Sequence, residues 1–188
     1  MNETLQSLLV QIARDAIAHG LDPSSSGYAG LPQGLEELPE EVFEERATFV
    51  TLTIDGQLRG CIGMLEACRP LAEDVAKNAC AAAFEDPRFD PITSSEFEKV
   101  DIHISVLSPP EEMTFSSEAD LLSQLRPGVD GLILQEGGRR GTFLPCVWEE
   151  LPDRETFLMH LKMKAGLPSS YWSDTLRVSR YTAEYFPA

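Results

Sequence analysis

Six residues, Leu58-Arg59-Gly60-Cys61-Ile62-Gly63, constrain this chain more than any other stretch, because two glycines, a thiol and a guanidinium stand inside what is otherwise strand chemistry. The apolar run Phe49-Val50-Thr51-Leu52-Thr53-Ile54 precedes them, and Asp55-Gly56 supplies the left-handed residues that close a tight hairpin. Alternation along the return arm predicts Leu58, Gly60 and Ile62 on one face and Arg59, Cys61 and Gly63 on the other. Arg59 and Cys61 are then same-face neighbours, about 7 Å apart at Cα. A guanidinium at that range favours the thiolate, which is the nucleophilic form of cysteine. The plainer alternative is a small cysteine that fills a tight hairpin.

Around this hairpin the chain reads as alternating helix and strand signals. Leu5, Leu8, Leu9, Ile12, Ala13, Ala16 and Ile17 recur at helical spacing, predicting a packing helix over 3–18 closed by Gly20. Residues 21–40 have loop composition, and the glutamate pairs from Glu36 to Glu45 read as a solvated face rather than a metal site. Pro70 opens a helix through Phe84 with a small-residue face of Ala79, Ala82 and Ala83, suited to lying close on a sheet. Asp86-Pro87-Arg88-Phe89-Asp90-Pro91 stops it as a rigid loop. Val100, Ile102, Ile104 and Val106 then alternate with Asp101, His103 and Ser105, predicting a half-buried strand over 100–107.

The second half repeats the pattern: a short helix over 118–126, a strand at Leu132-Ile133-Leu134, a turn at Gly137-Gly138, and a return strand from Arg140 to Leu144. A helix ending at Gly166 and a last strand within 176–186 follow. Asp55-Gly56-Gln57-Leu58-Arg59-Gly60-Cys61 aligns with Glu136-Gly137-Gly138-Arg139-Arg140-Gly141-Thr142, making Cys61 and Thr142, and Arg59 and Arg140, pseudo-equivalent. The reading is one α+β domain over 1–188, a mainly antiparallel sheet with flanking helices. It is a duplicated β-β-α-β unit whose halves, about 46–108 and 129–187, share the sheet and are candidate lobes. A chance match of turn residues is the alternative.

The hexapeptide also resembles the signature of the AMMECR domain family. So do Asp86-Pro87-Arg88-Phe89 with Pro91, the strand at Ile104 to Leu107, Gly128-Val129-Asp130-Gly131, Thr142-Phe143-Leu144-Pro145, and Lys164-Ala165-Gly166 before Trp172. The resemblance covers nearly the whole chain. Bacterial and archaeal members accompany a Memo-type protein and a radical SAM protein, so it implies such partners and one step of a shared pathway. It also implies a carboxylate where this chain has His103.

Candidate chemistry centres on Cys61 as nucleophile, with Gly60 and Gly63 leaving room for a substrate beside the backbone. His103, with Asp101 on its strand face, is a weaker candidate base, and needs the strands of Cys61 and His103 to be neighbours in register. Otherwise it is a half-exposed histidine on a sheet. Asp86, Arg88 and Phe89 present a carboxylate, a guanidinium and a ring from a rigid loop, or else a simple salt bridge that ends a helix. Arg59, Arg88 and Arg140 form a candidate anion site for a carboxylate or phosphate substrate, or else each pairs with one of the surplus acids, and Thr142 is expected to line the same cleft as Arg59, Cys61, Asp86 and Arg88. If these groups only pack, the chain is a module that binds a ligand or a partner protein.

Charge narrows the partners. Net charge is −16, and residues 1–100 alone hold 18 acids against 7 bases, a surface unsuited to nucleic acid. Cys61, Cys68, Cys80 and Cys146 fall at no zinc-like spacing, and no cofactor fingerprint is present, so neither a metal nor a cofactor is expected. No apolar run is long enough to cross a bilayer and residues 1–20 lack a signal-peptide pattern, so the expected location is the cytoplasm, away from membranes.

Overall fold

The computed structural model describes residues 1–22 and 39–187. The loop expected over 21–40, with the Glu36-Glu37 pair, falls mostly on 23–38, outside the described residues. In chain order the elements are α1 (Glu3–Leu21), β1 (Thr48–Ile54), β2 (Gln57–Gly63), α2 (Leu71–Phe84), α3 (Ser94–Phe97) and β3 (Val100–Leu107). After them come β4 (Glu111–Glu112), α4 (Glu118–Gln124), β5 (Gly131–Glu136), β6 (Arg139–Phe143), α5 (Arg154–Lys164), β7 (Arg177–Tyr181) and β8 (Ala183–Pro187). The class is α+β, as the pattern predicts. The expectation of one shared sheet is corrected: the described residues form two four-stranded antiparallel sheets, ordered β2-β1-β3-β8 and β4-β7-β5-β6. They belong to two compact units, Met1–Leu107 with Glu184–Ala188, and Ser108–Ala183.

In the first unit, Val50 and Leu52 of β1 and Val100, Ile102, Ile104 and Val106 of β3 form the buried face, packed with apolar residues of α1 and α2. Asn2 caps α1 by accepting the Leu5 N–H at 2.8 Å. Gly20 does not close α1, which continues to Leu21. Its role is close approach, since a Cβ there would lie 2.5 Å from the Phe84 ring. Asp74, fully buried on α2, accepts the Thr48 N–H at 2.9 Å and hydroxyl at 2.6 Å, with Asn78 and Arg69 donating to it as well. That network pins the start of β1 to α2, because a buried carboxylate is tolerated only when its lone pairs are met.

In the second unit, Leu132, Leu134 and Val178 pack on Phe157, Leu158 and Leu161 of α5, and Trp148 stacks on Phe157 at 3.7 Å. Asp153 caps α5, and Gly166, at φ 78°, ends it. The single strand expected within 176–186 is two. Val178 and Tyr181 are buried in the second unit's β7, whereas Phe186 of β8 belongs to the first unit's core.

Candidate functional site

The hairpin forms as its turn residues dictate, with Asp55 at φ 52° and Gly56 at φ 75°. Its pairing is not regular. Thr53 faces Leu58 and Leu52 faces Gly60, so Arg59 is an extra, bulged residue. In the other hairpin Leu134 faces Gly141 and Gln135 faces Arg140 with no residue skipped. Leu58, not Arg59, therefore occupies the pairing position of Arg140, and the Arg59–Arg140 equivalence is corrected; Cys61 and Thr142 still pair alike, with Thr51 and Ile133.

The bulge turns Arg59 away from the thiol. Its Nε donates to Glu96 Oε1 at 2.8 Å and its Nη2 to the Asp90 carbonyl at 2.9 Å. Glu96 also closes a capping box with Thr93 at the start of α3. Held by Arg59 first and by Thr93 second, the Glu96 carboxyl titrates at about 2. The expectation that Arg59 primes Cys61 is thus corrected.

The guanidinium beside Cys61 is that of Arg88. Gly60 lies so close to the last turns of α2 that a Cβ would stand 2.1 Å from the Ala82 carbonyl oxygen. This contact brings Asp86, just past the helix end, under β2. Asp86 Oδ2 accepts the Cys61 N–H at 2.9 Å and Arg88 Nη2 at 2.7 Å, and Oδ1 accepts Arg88 Nε at 2.9 Å and its N–H at 3.1 Å. The Asp86 side chain is 2% exposed and that of Arg88 54%. The Arg88 hydrogen bonds, with the Cys61 N–H adding to them, hold the Asp86 carboxyl far below the usual carboxylate range despite its burial. Asp86 in turn raises Arg88, to which the Cys61 sulfur contributes. Arg88 Nη2 also reaches the Cys61 carbonyl at 3.4 Å, and the Phe89 ring lies 5.5 Å from Arg88 and 5.7 Å from Arg59. The half-buried thiol itself meets the Thr51 hydroxyl at 3.1 Å.

His103 does not fulfil the requirement set for a base. It shares a register row with Cys61, but β1 lies between, with Thr51 facing Cys61 on one side and His103 on the other. Two strand spacings separate them, roughly 10 Å. His103 Nε2 instead meets the Thr53 hydroxyl at 3.2 Å, and its ring stacks on Tyr185 at 5.7 Å.

So the structure brings Arg59, Gly60, Cys61, Asp86, Arg88 and Phe89 together in the first unit, with Gly63 two residues along β2 against the Phe49 ring. Arg140 and Thr142 belong to the second unit. The structure adds Thr51, beside the Cys61 thiol, and Glu96, beside Arg59, to the residues expected from sequence. Thr51 carried no local signal, whereas Thr93-Ser94-Ser95-Glu96 is a legible capping box. Among the described residues no group of three or more His, Cys, Asp or Glu is arranged to hold a metal, and no helix is long and apolar enough to cross a membrane. None of the four cysteines is in a disulfide.

Two antiparallel sheets with packed helices define an α+β protein, in which Cys61 sits on a bulged hairpin with its N–H held by Asp86. The chain belongs to the AMMECR1 family, whose model matches residues 10–186. A protein of Methanothermobacter thermautotrophicus is 43% identical over 180 residues, covering 95% of this chain and 91% of its own. One from Thermotoga maritima is 42% identical over 154 residues, covering 80% and 83%. The crystal structure of the uncharacterized protein PH0010 from Pyrococcus horikoshii matches with a TM-score of 0.81 at 35% identity, over 96% of this chain and 89% of that one.

Proposed function

We propose that this chain is a cysteine-dependent enzyme or enzyme subunit acting on a small anionic substrate, with Cys61 as nucleophile or covalent carrier and Arg88 as the cation beside it. The observation that supports this most is Asp86. A buried carboxylate is costly unless fully paired, and this one spends its hydrogen bonds on holding Cys61 and Arg88 in fixed relation. The Arg88 side chain is still about half exposed, so an anion can meet it. Arg59 and Phe89 flank it, and the proposed role of the Arg59–Glu96 pair is to hold the bulge.

A second reading has one specific support. Both guanidiniums are already engaged by carboxylates and the thiol by Thr51, as in a binding module where Cys61 packs. Memo-type and radical SAM proteins, implied by the family resemblance, are the partners to test first for either reading; the acidic surface argues against nucleic acid, and the cytoplasm is the proposed compartment. The common order of strands in the two sheets, β2-β1-β3 and β6-β5-β7, supports the proposal that the halves arose by duplication.

The test uses two near-isosteric alkylating probes, iodoacetate and iodoacetamide, with modification of Cys61 read by peptide mass spectrometry. An anion-accepting thiol site prefers the charged probe, and Arg88→Ala abolishes that preference. A Cys61 that prefers the neutral probe in both proteins, or reacts only after unfolding, contradicts the enzyme reading and leaves the binding module.

A further inference from the structure

Thr51 alternates along β1 with Val50 and Leu52, both fully buried, so its side chain stands on the opposite face of the strand. There it lies directly across from Cys61. Antiparallel rows are of two kinds, and side chains stand closer in the row whose backbone groups do not bond each other. The Thr51–Cys61 row is of that kind, because Cys61 turns its N–H to Asp86 at 2.9 Å and its carbonyl toward Arg88 at 3.4 Å. The loop that clamps Cys61 thereby sets its sulfur against the threonine hydroxyl, at 3.1 Å.

That contact changes character when the thiol ionises. A neutral thiol donates to the Thr51 oxygen or accepts from it, and either bond is weak. A thiolate has no hydrogen to give, so the Thr51 hydroxyl must donate to it, and a bond to an ionised partner is about twice as strong. The hydroxyl is available for this. Among the described residues its hydrogen bond is to Cys61 alone, and His103, which faces Thr51 across the other side of β1, bonds Thr53 instead, at 3.2 Å.

We propose that Thr51 is a positioning residue for the chemistry assigned to Cys61: its hydroxyl donates to the ionised sulfur and fixes its direction, while the thiol proton passes to water. The inference rests on the reading of Cys61 as nucleophile. Arg88 then supplies charge, and Thr51 a directed hydrogen bond. A cysteine that only packs needs no more than the shape of its neighbour, which valine reproduces without the hydroxyl.

The experiment is the pH–rate profile of iodoacetamide alkylation at Cys61, in which the sulfur displaces iodide, for the parent protein, Thr51→Val, Thr51→Ser and Thr53→Val. Losing the hydroxyl removes about a tenfold preference for the ionised form, and the more basic sulfur left behind is about threefold more nucleophilic. Thr51→Val should therefore react about threefold more slowly on the acidic limb and about threefold faster on the high-pH plateau, so that its curve crosses that of the parent. Thr51→Ser, which keeps the hydroxyl, should follow the parent, and so should Thr53→Val. Asp86 and Arg88, the charged groups beside the thiol, are unchanged in every variant. Altered packing alone moves the rate in one direction at every pH. Curves that do not cross, or a serine variant that behaves like the valine one, overturn the proposal. If Thr51→Val does not fold, Thr51→Ala against Thr51→Ser makes the same comparison. Failure here is distinct from failure of the enzyme reading: a parent that prefers iodoacetate while the curves do not cross keeps Cys61 as nucleophile and removes only Thr51. A Cys61 that reacts only after unfolding removes both.

Discussion

Asp86 carries most of the local electrostatics. Its folded pKa lies below its unfolded one, so its contribution to stability is complete above about pH 3.9 and is lost as pH falls through the folded value. Asp86→Asn should therefore cost about 3 kcal/mol at pH 7, measured by urea unfolding, with the gap to the parent protein narrowing below pH 4. A gap that stays constant down to pH 2 would mean that the charge on Asp86 contributes nothing. Arg88, Asp86 and Cys61 are all legible in the sequence, whereas the partner of Arg59 is not. Its direction depends on the bulge, and a bulge is set by pairing across two strands, which alternation along one strand does not encode.

At the level of elements, the hairpin, the strand over 100–107 and the helix after Pro70 were legible because turn chemistry and apolar period agree there. What escaped was allocation: the expected last strand divides at Thr182 between two sheets, a choice made by which core each half enters. Gly60 couples strand to helix. Since a Cβ there would lie 2.1 Å from the backbone oxygen of Ala82, Gly60→Ala should destabilise the protein by about 3 kcal/mol. The counterpart Gly141→Ala, whose nearest contacts are 2.8 to 2.9 Å at Ala165 and Leu161, should cost less. Thermal unfolding of the two variants compares them, and equal losses would contradict the close-approach role given to Gly60.

Over the whole molecule, the chain leaves the first unit at Leu107 and returns to it at Glu184. β8 closes the edge of β3 and carries the Tyr185 ring that stacks on His103. Deleting residues 183–188 removes that edge strand and the buried Phe186. Hydrogen exchange should then quicken across β1 and β3, while β5 to β7 keep their protection, because local stability follows the contacts within each unit. Uniform loss of protection in both sheets would contradict the division into two units. The α+β class was readable from element order, whereas the existence of two sheets was not, since two identical strand orders fit one sheet or two equally well.

The most direct measurement is the rate of iodoacetamide alkylation at Cys61 near pH 7 in the parent protein, in Arg88→Ala and in Arg59→Ala. The geometry predicts that removing Arg88 slows alkylation about tenfold, the effect of losing one adjacent cation, and that removing Arg59 leaves the rate nearly unchanged. The reverse order, or no change in either variant, would contradict the assignment of Arg88 as the working partner of Cys61.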